Sequence, residues 1–179
     1  MYPVYALFRY FPEEVPGRIL LTLLLLSAGI VTAVILYKKG RIAKGERNLF
    51  VLLWVYTLCV LFITVIGRFI HEDFRAQPIP LSSYRSYLMT SNIRELWGII
   101  LNVLMFVPLS FLTAQLLREH RPVRFALLCS ILLTLTIEAL QYVTRTGTFE
   151  VDDLIHNTLG ALIGIGIWLL FRRLKRRKE

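Results

Sequence analysis

The sequence predicts an all-α, polytopic membrane protein of about five transmembrane helices, with its N-terminus outside and its C-terminus inside. Three observations carry this reading. The 179 residues are 56% hydrophobic, with a mean hydropathy of +0.60, which is more apolar than an ordinary soluble domain. Five apolar runs are long enough to cross about 30 Å of hydrocarbon, a distance that takes roughly 20 helical residues. The basic residues fall in alternate connections beside those runs, as the positive-inside rule requires. The formal net charge of +9 would otherwise suggest nucleic acid. No basic stripe with interleaved aromatics is present, and no nucleic-acid partner is expected.

The spans follow in order: Ile19 to Tyr37, Asn48 to Ile70, Leu96 to Leu117 (which contains Pro108), Val123 to Val143, and Leu154 to Phe171. Residues Met1 to Gly17 lack a basic start leading into a cleavage site, so the first run is read as a retained span. The aromatic stretch Met1 to Phe11 reads as an interfacial segment. Lys38, Lys39, Arg41, Lys44 and Arg47 follow the first span, and Arg118, Arg121 and Arg124 follow the third. The tail, 172–179, is strongly basic and reads as a membrane-surface anchor. These three regions are placed in the cytoplasm. The link 71–95 is placed outside, where Gln77-Pro-Ile-Pro80 breaks helix structure. It reads equally as a lid or re-entrant segment and as a loose link with interfacial tyrosines, Tyr84 and Tyr87. Cys59 and Cys129 lie inside apolar runs and read as small buried hydrophobes, with no disulfide expected. The chain is read as a single domain, 1–179.

Polar residues gather near the outer ends of the spans. At 100° per residue, Glu138, Gln141 and Arg145 share one helix face within about 60°. Asp153, Asn157, Gly160 and Gly164 share another by the same arithmetic, with Asp152 and His156 on the adjoining stripe. Gly160 and Gly164, four residues apart, are suited to close helix packing in a membrane. Gly147 fits a tight turn. Arg68 and Asn102 belong at the same depth. Ionisable groups at a membrane margin are costly unless paired or wetted, so this layer is a candidate site. The alternative is an ion-pair network that pins the helices together. The excess of charges over what pinning requires favours an outward-facing pocket. The inner halves of the spans carry almost no polar groups, which disfavours a channel or pump.

Individual residues have plainer readings. Asp152 serves equally well as a helix N-terminal acid. His156 alone is more often a packed histidine than a ligand. Asp152, Asp153 and His156 do not make a metal set, and no metal or other cofactor is expected. Ser82 and Ser83 lack a partnered His-Asp arrangement, and Glu150 reads as a solvated loop charge. Glu138 and Asp153 are candidates for an acid/base pair, which spacing alone does not establish.

The ordered set Glu138-x-x-Gln141, Arg145, Asp152-Asp153, Asn157, Gly160 and Gly164 resembles the VanZ-like family. So do Gly67-Arg68 and the run Asn102-Val-Leu-Met-Phe106-Val-Pro108-Leu109, with Ser110 where that family usually has glycine. The motif-bearing core is about 68–164. The resemblance implies a multi-pass protein of the bacterial cell membrane, connected with resistance to teicoplanin and related lipoglycopeptides. Two mechanisms stay open. In the first, Arg68 and Arg145 hold a phosphate or carboxylate, with Asn102, Glu138, Gln141, Asp152, Asp153 and Asn157 completing a binding pocket. Its ligand would be a lipid-linked cell-wall precursor, a lipoteichoic acid or the lipoglycopeptide itself, among membrane lipids. In the second, a membrane-embedded enzyme modifies or hydrolyses a lipid-linked headgroup, with Glu138 or Asp153 as base. Binding is favoured, because no nucleophile or metal constellation stands out.

Overall fold

A computed structural model describes residues 15–68, 70–118 and 121–177. The N-terminal aromatic stretch read above as interfacial lies outside the described residues. The helices are α1 (Val15–Lys38), α2 (Lys44–Leu61), α3 (Ser82–Thr90), α4 (Ile93–Leu116), α5 (Pro122–Thr144) and α6 (Val151–Arg176). A π-helical turn, Phe62–Ile66, extends α2. Two three-residue strands, β1 (Arg75–Gln77) and β2 (Thr148–Glu150), complete the elements. Among the described residues, five helices are long and apolar enough to cross a membrane. The all-α polytopic class therefore holds. Large side chains such as Leu20, Leu52, Leu104, Leu132 and Leu170 lie exposed on helix surfaces, as lipid-facing positions do.

Two boundaries differ from the sequence reading in ways that matter. The second span ends at Ile66 rather than Ile70. Its last residues, Ile63-Thr-Val-Ile66, are all β-branched, a poor composition for continuing an α-helix. The fifth span is longer than Leu154 to Phe171. It runs from Val151 for 26 residues, about 39 Å at 1.5 Å per residue. Asp152 and Asp153 thus lie in its first turn. The cysteines, expected to be buried, are instead exposed on helix surfaces.

The chain forms two compact units, residues 1–58 and 59–179. In the first, Trp54 donates its indole N–H to the Leu25 carbonyl at 3.0 Å. Its ring occupies the space beside Gly29, where a Cβ would lie 2.0 Å from Trp54 Nε1. Arg47 stacks over Tyr37 at 4.7 Å.

In the second unit α6 is the hub, packed most extensively on α4 and next on α5. The glycines explain the closeness of α4. A Cβ on Gly160 would fall 2.1 Å from the Val103 carbonyl oxygen, and one on Gly164 would fall 2.1 Å from that of Val107. The α6 backbone therefore rides directly on the α4 backbone, an approach that small residues alone permit. Toward the C-terminal end of α6, Ala114, Ala126, Ile165 and Trp168 form an apolar cluster.

The link 70–92 is neither wholly loose nor a simple lid. β1 pairs in parallel with β2, Arg75 opposite Thr148 and Gln77 opposite Glu150. The Pro-rich break follows, and then α3. Isolated strands this short have little stability of their own, so the pairing depends on the side chains described next.

Candidate functional site

The polar residues concentrate at the end of the second unit where α5 stops and α6 begins. α5 ends because Arg145 takes a left-handed conformation, φ 57°. The N–H groups of Thr146 and Gly147 then turn back to the Gln141 carbonyl. Gly147 fits because its α-carbon faces the Gln141 side chain, 3.1 Å from where a Cβ would stand.

Glu138 is buried, 1% exposed. One carboxylate oxygen accepts the backbone N–H of Glu150 at 2.8 Å, which fixes the entry to α6 relative to α5. Gln141, one turn later, donates to the Thr64 carbonyl at 3.0 Å. That carbonyl belongs to the π-helical turn, whose irregular bonding leaves backbone groups in need of outside partners. The same helix face thus secures both the end of α2 and the start of α6.

Asp152 is equally buried, 1% exposed, and it faces away from its own helix. Its carboxylate accepts from the Leu81 N–H, the Ser83 N–H at 2.8 Å and the Ser82 hydroxyl at 3.2 Å. It therefore caps α3 from 69 to 71 residues away. Nearby, the hydroxyl of Tyr84 and Nε2 of His156 share a hydrogen bond of 3.0 Å, with the rings edge to face. The Ser82 hydroxyl bonds the Asp152 carboxylate, and the His156 imidazole bonds Tyr84.

Asp153 turns the other way. Its hydrogen-bonding neighbour is Asn102 of α4, and the Arg68 charge acts on it. Arg68 also attracts Glu138 and Glu150, and Asp153 repels both. Arg68, Asn102, Glu138, Glu150 and Asp153 therefore form one electrostatic cluster drawn from five parts of the chain. Three carboxylates stand against one arginine. Glu150, expected as a solvated loop charge, is half-buried instead. Burial, and then the charges of Asp153, Glu95 and Asp152, push its carboxyl up to about 7, against the pull of Arg68.

Arg145 has a further set of contacts. Its guanidinium donates to the Glu72 carbonyl at 3.1 Å and stacks over Phe74 at 5.5 Å, while its own carbonyl accepts from His71 N–H at 2.7 Å. It holds the segment leading into β1.

Asn157 points between α6 and α5, donating to the Thr134 hydroxyl at 2.7 Å. Three buried acceptor-capable atoms, Gln141 Oε1, His156 Nδ1 and Asn157 Oδ1, have no hydrogen-bond partner among the described residues. Buried polar atoms of this kind are rare enough to require a reason. All three belong to residues singled out from the sequence. Thr64, Thr134 and Tyr84 complete these contacts. Thr134 was not legible as a partner, since a hydroxyl in an apolar helix usually bonds its own backbone.

Among the described residues no group of three or more His, Cys, Asp or Glu side chains is placed to hold a metal ion. The family model VanZ/LLP1 matches residues 49–172, well over half of the chain. Comparison with curated proteins and with solved structures gives no match.

Proposed function

The chain belongs to the VanZ-like family, and from that premise we propose that it binds the polar headgroup of a lipid-linked envelope component, or of a lipoglycopeptide, at one membrane face. This binding lowers susceptibility to antibiotics of the teicoplanin type. The protein works in the bacterial cell membrane, with the cluster facing outward. The basic connections after α1 and α4 and the basic tail support that orientation.

The observation that carries the reading is the electrostatic cluster. Arg68 acts on Glu138, Glu150 and Asp153, which come from α5, β2 and α6. A carboxyl group accepts hydrogen bonds when ionised and can also donate one when protonated, as Glu150 is in part near neutral pH. A carboxylate-rich set beside one arginine suits a headgroup rich in hydroxyl, amide or ammonium donors that also carries an anionic group for Arg68. Sugars and peptides on lipid carriers have this chemistry, and so do lipoglycopeptides.

The test is expression of wild type, Arg68→Ala and Asp153→Asn in a susceptible bacterium at matched membrane levels. Wild type raises the minimal inhibitory concentration of teicoplanin, and each variant loses most of that rise. Full protection by both variants would overturn the reading. Mass spectrometry of lipids and wall precursors from the same strains separates binding from catalysis. An unchanged headgroup profile goes with binding. A new or missing headgroup that depends on Glu138 assigns the alternative, an enzyme acting on a lipid-linked headgroup.

A further inference from the structure

At the opposite end of the second unit, away from the carboxylate cluster, α4 ends beside the last turns of α6. Between them lies a cleft of about 320 Å³. Gln115 lines it from α4, Arg118 from the turn just after α4, and Trp168, Phe171, Arg172 and Arg176 from α6. Its charged lining residues, Arg118, Arg172, Lys175 and Arg176, are all cations.

The floor is rigid. Trp168 is 1% exposed and donates its indole N–H to Gln115 Oε1 at 2.8 Å. Arg172 lies over the Trp168 ring at 5.3 Å, and one of its amino groups reaches the Arg118 carbonyl at 3.5 Å. The Arg172 guanidinium is thus oriented in advance, which reduces the entropy lost when it binds a ligand. Arg176 stands one helical turn further on, on the same face. The rim is apolar: Phe171, 49% exposed, packs edge to face against Phe111 at 6.0 Å. A cationic, aromatic-floored cleft whose lip joins the exposed apolar surface of a membrane-spanning helix matches an amphiphile with an anionic head. Its phosphate meets the guanidinium groups, and its acyl chains run down beside Phe171, Leu170 and Leu174, all exposed.

We propose that this cleft is a binding site for the headgroup of an anionic phospholipid, with Arg172 and Arg176 as its phosphate ligands. The site is separate from the carboxylate cluster and does not depend on the function assigned to it. Basic pockets between transmembrane helices recognise anionic lipids by this chemistry. The tail then acts as a specific lipid anchor rather than a diffuse charge.

The experiment uses the full-length protein purified in detergent. Retained lipid is measured by native mass spectrometry during titration with phosphatidylglycerol, phosphatidylcholine or soluble glycerol phosphate. Wild type prefers phosphatidylglycerol over phosphatidylcholine by about tenfold or more. The R172Q/R176Q variant loses that preference, a drop of about 10–30-fold for two cations. The R173Q/R177Q variant removes the same charge from residues that do not line the cleft and keeps the preference. Arg176→Glu alone, an exposed change near the helix end, weakens phosphatidylglycerol binding even if the double variant fails to fold. Equal retention of the two lipids by wild type overturns the proposal. So does equal loss in R172Q/R176Q and R173Q/R177Q, which indicates diffuse tail charge. So does an unaltered Arg176→Glu protein. Displacement of phosphatidylglycerol by glycerol phosphate at comparable concentration shows a free-phosphate site and overturns it as well.

Discussion

The carboxylate of Glu138 accepts the backbone N–H of Glu150 at 2.8 Å. A buried acid on α5 thereby determines where α6 starts, and the start of α6 determines where Asp152 and Asp153 point. Glu138→Gln keeps a carbonyl oxygen for this bond and removes the charge, whereas Glu138→Ala leaves a backbone donor without its partner. The alanine variant should lose about 1–3 kcal/mol of stability, and the glutamine variant much less. Melting temperatures in detergent check the order. Equal melting of both variants would mean that the hydrogen bond does not secure the turn.

Gly160 and Gly164 have no room for a methyl group, because the carbonyls of Val103 and Val107 stand 2.1 Å from each added Cβ. Gly160→Ala and Gly164→Ala should each cost about 1–3 kcal/mol through forced separation of α4 and α6. Gly166 has no atom within 4 Å of its Cβ position. Gly166→Ala is the control, expected to be neutral or slightly stabilising because alanine is the better helix former.

Asp152 is the cap of α3. Its replacement by alanine removes three hydrogen bonds to Leu81, Ser82 and Ser83. Loss of a cap costs about 0.5–2 kcal/mol, and the effect should be local. Hydrogen exchange of residues 82–90 should accelerate while the interior of α4 keeps its protection. Uniform acceleration across the unit would show that Asp152 supports the whole bundle instead.

Gln141 serves the π-helical turn. Gln141→Leu is close in size but cannot donate to the Thr64 carbonyl, and an unsatisfied buried carbonyl costs about 1–3 kcal/mol. Gln141→Glu, ionised, cannot donate either and should be no better. A wild-type melting temperature for the leucine variant would show that the turn finds another partner.

Glu150 makes stability depend on pH. Burial and its acidic neighbours raise its carboxyl from 4.5 to about 7, so the folded state binds the proton more tightly than the unfolded chain. The stabilisation is complete below about pH 4.5 and fades as the pH rises through about 7. Between those values the melting temperature should fall more steeply for wild type than for Glu150→Gln. Parallel pH profiles would remove Glu150 as the source.

The apolar run lengths determined the five spans, and helical periodicity grouped the polar residues onto faces, because both depend only on neighbours along the chain. The glycine pair on α6 was legible for the same reason. The ordered motif that places the chain in its family was legible as well. Tertiary structure decided what each polar group meets. Asp152 and Asp153 are adjacent in sequence, yet one caps α3 and the other joins Asn102 and Arg68. Arg145, on the Glu138 face by arithmetic, is turned by its left-handed backbone toward Glu72 and Phe74. The π-helical turn, the parallel strand pair and α3 were equally invisible. Each depends on partners dozens of residues away, and such hydrogen bonds form only after the helices have packed and brought them within about 3 Å.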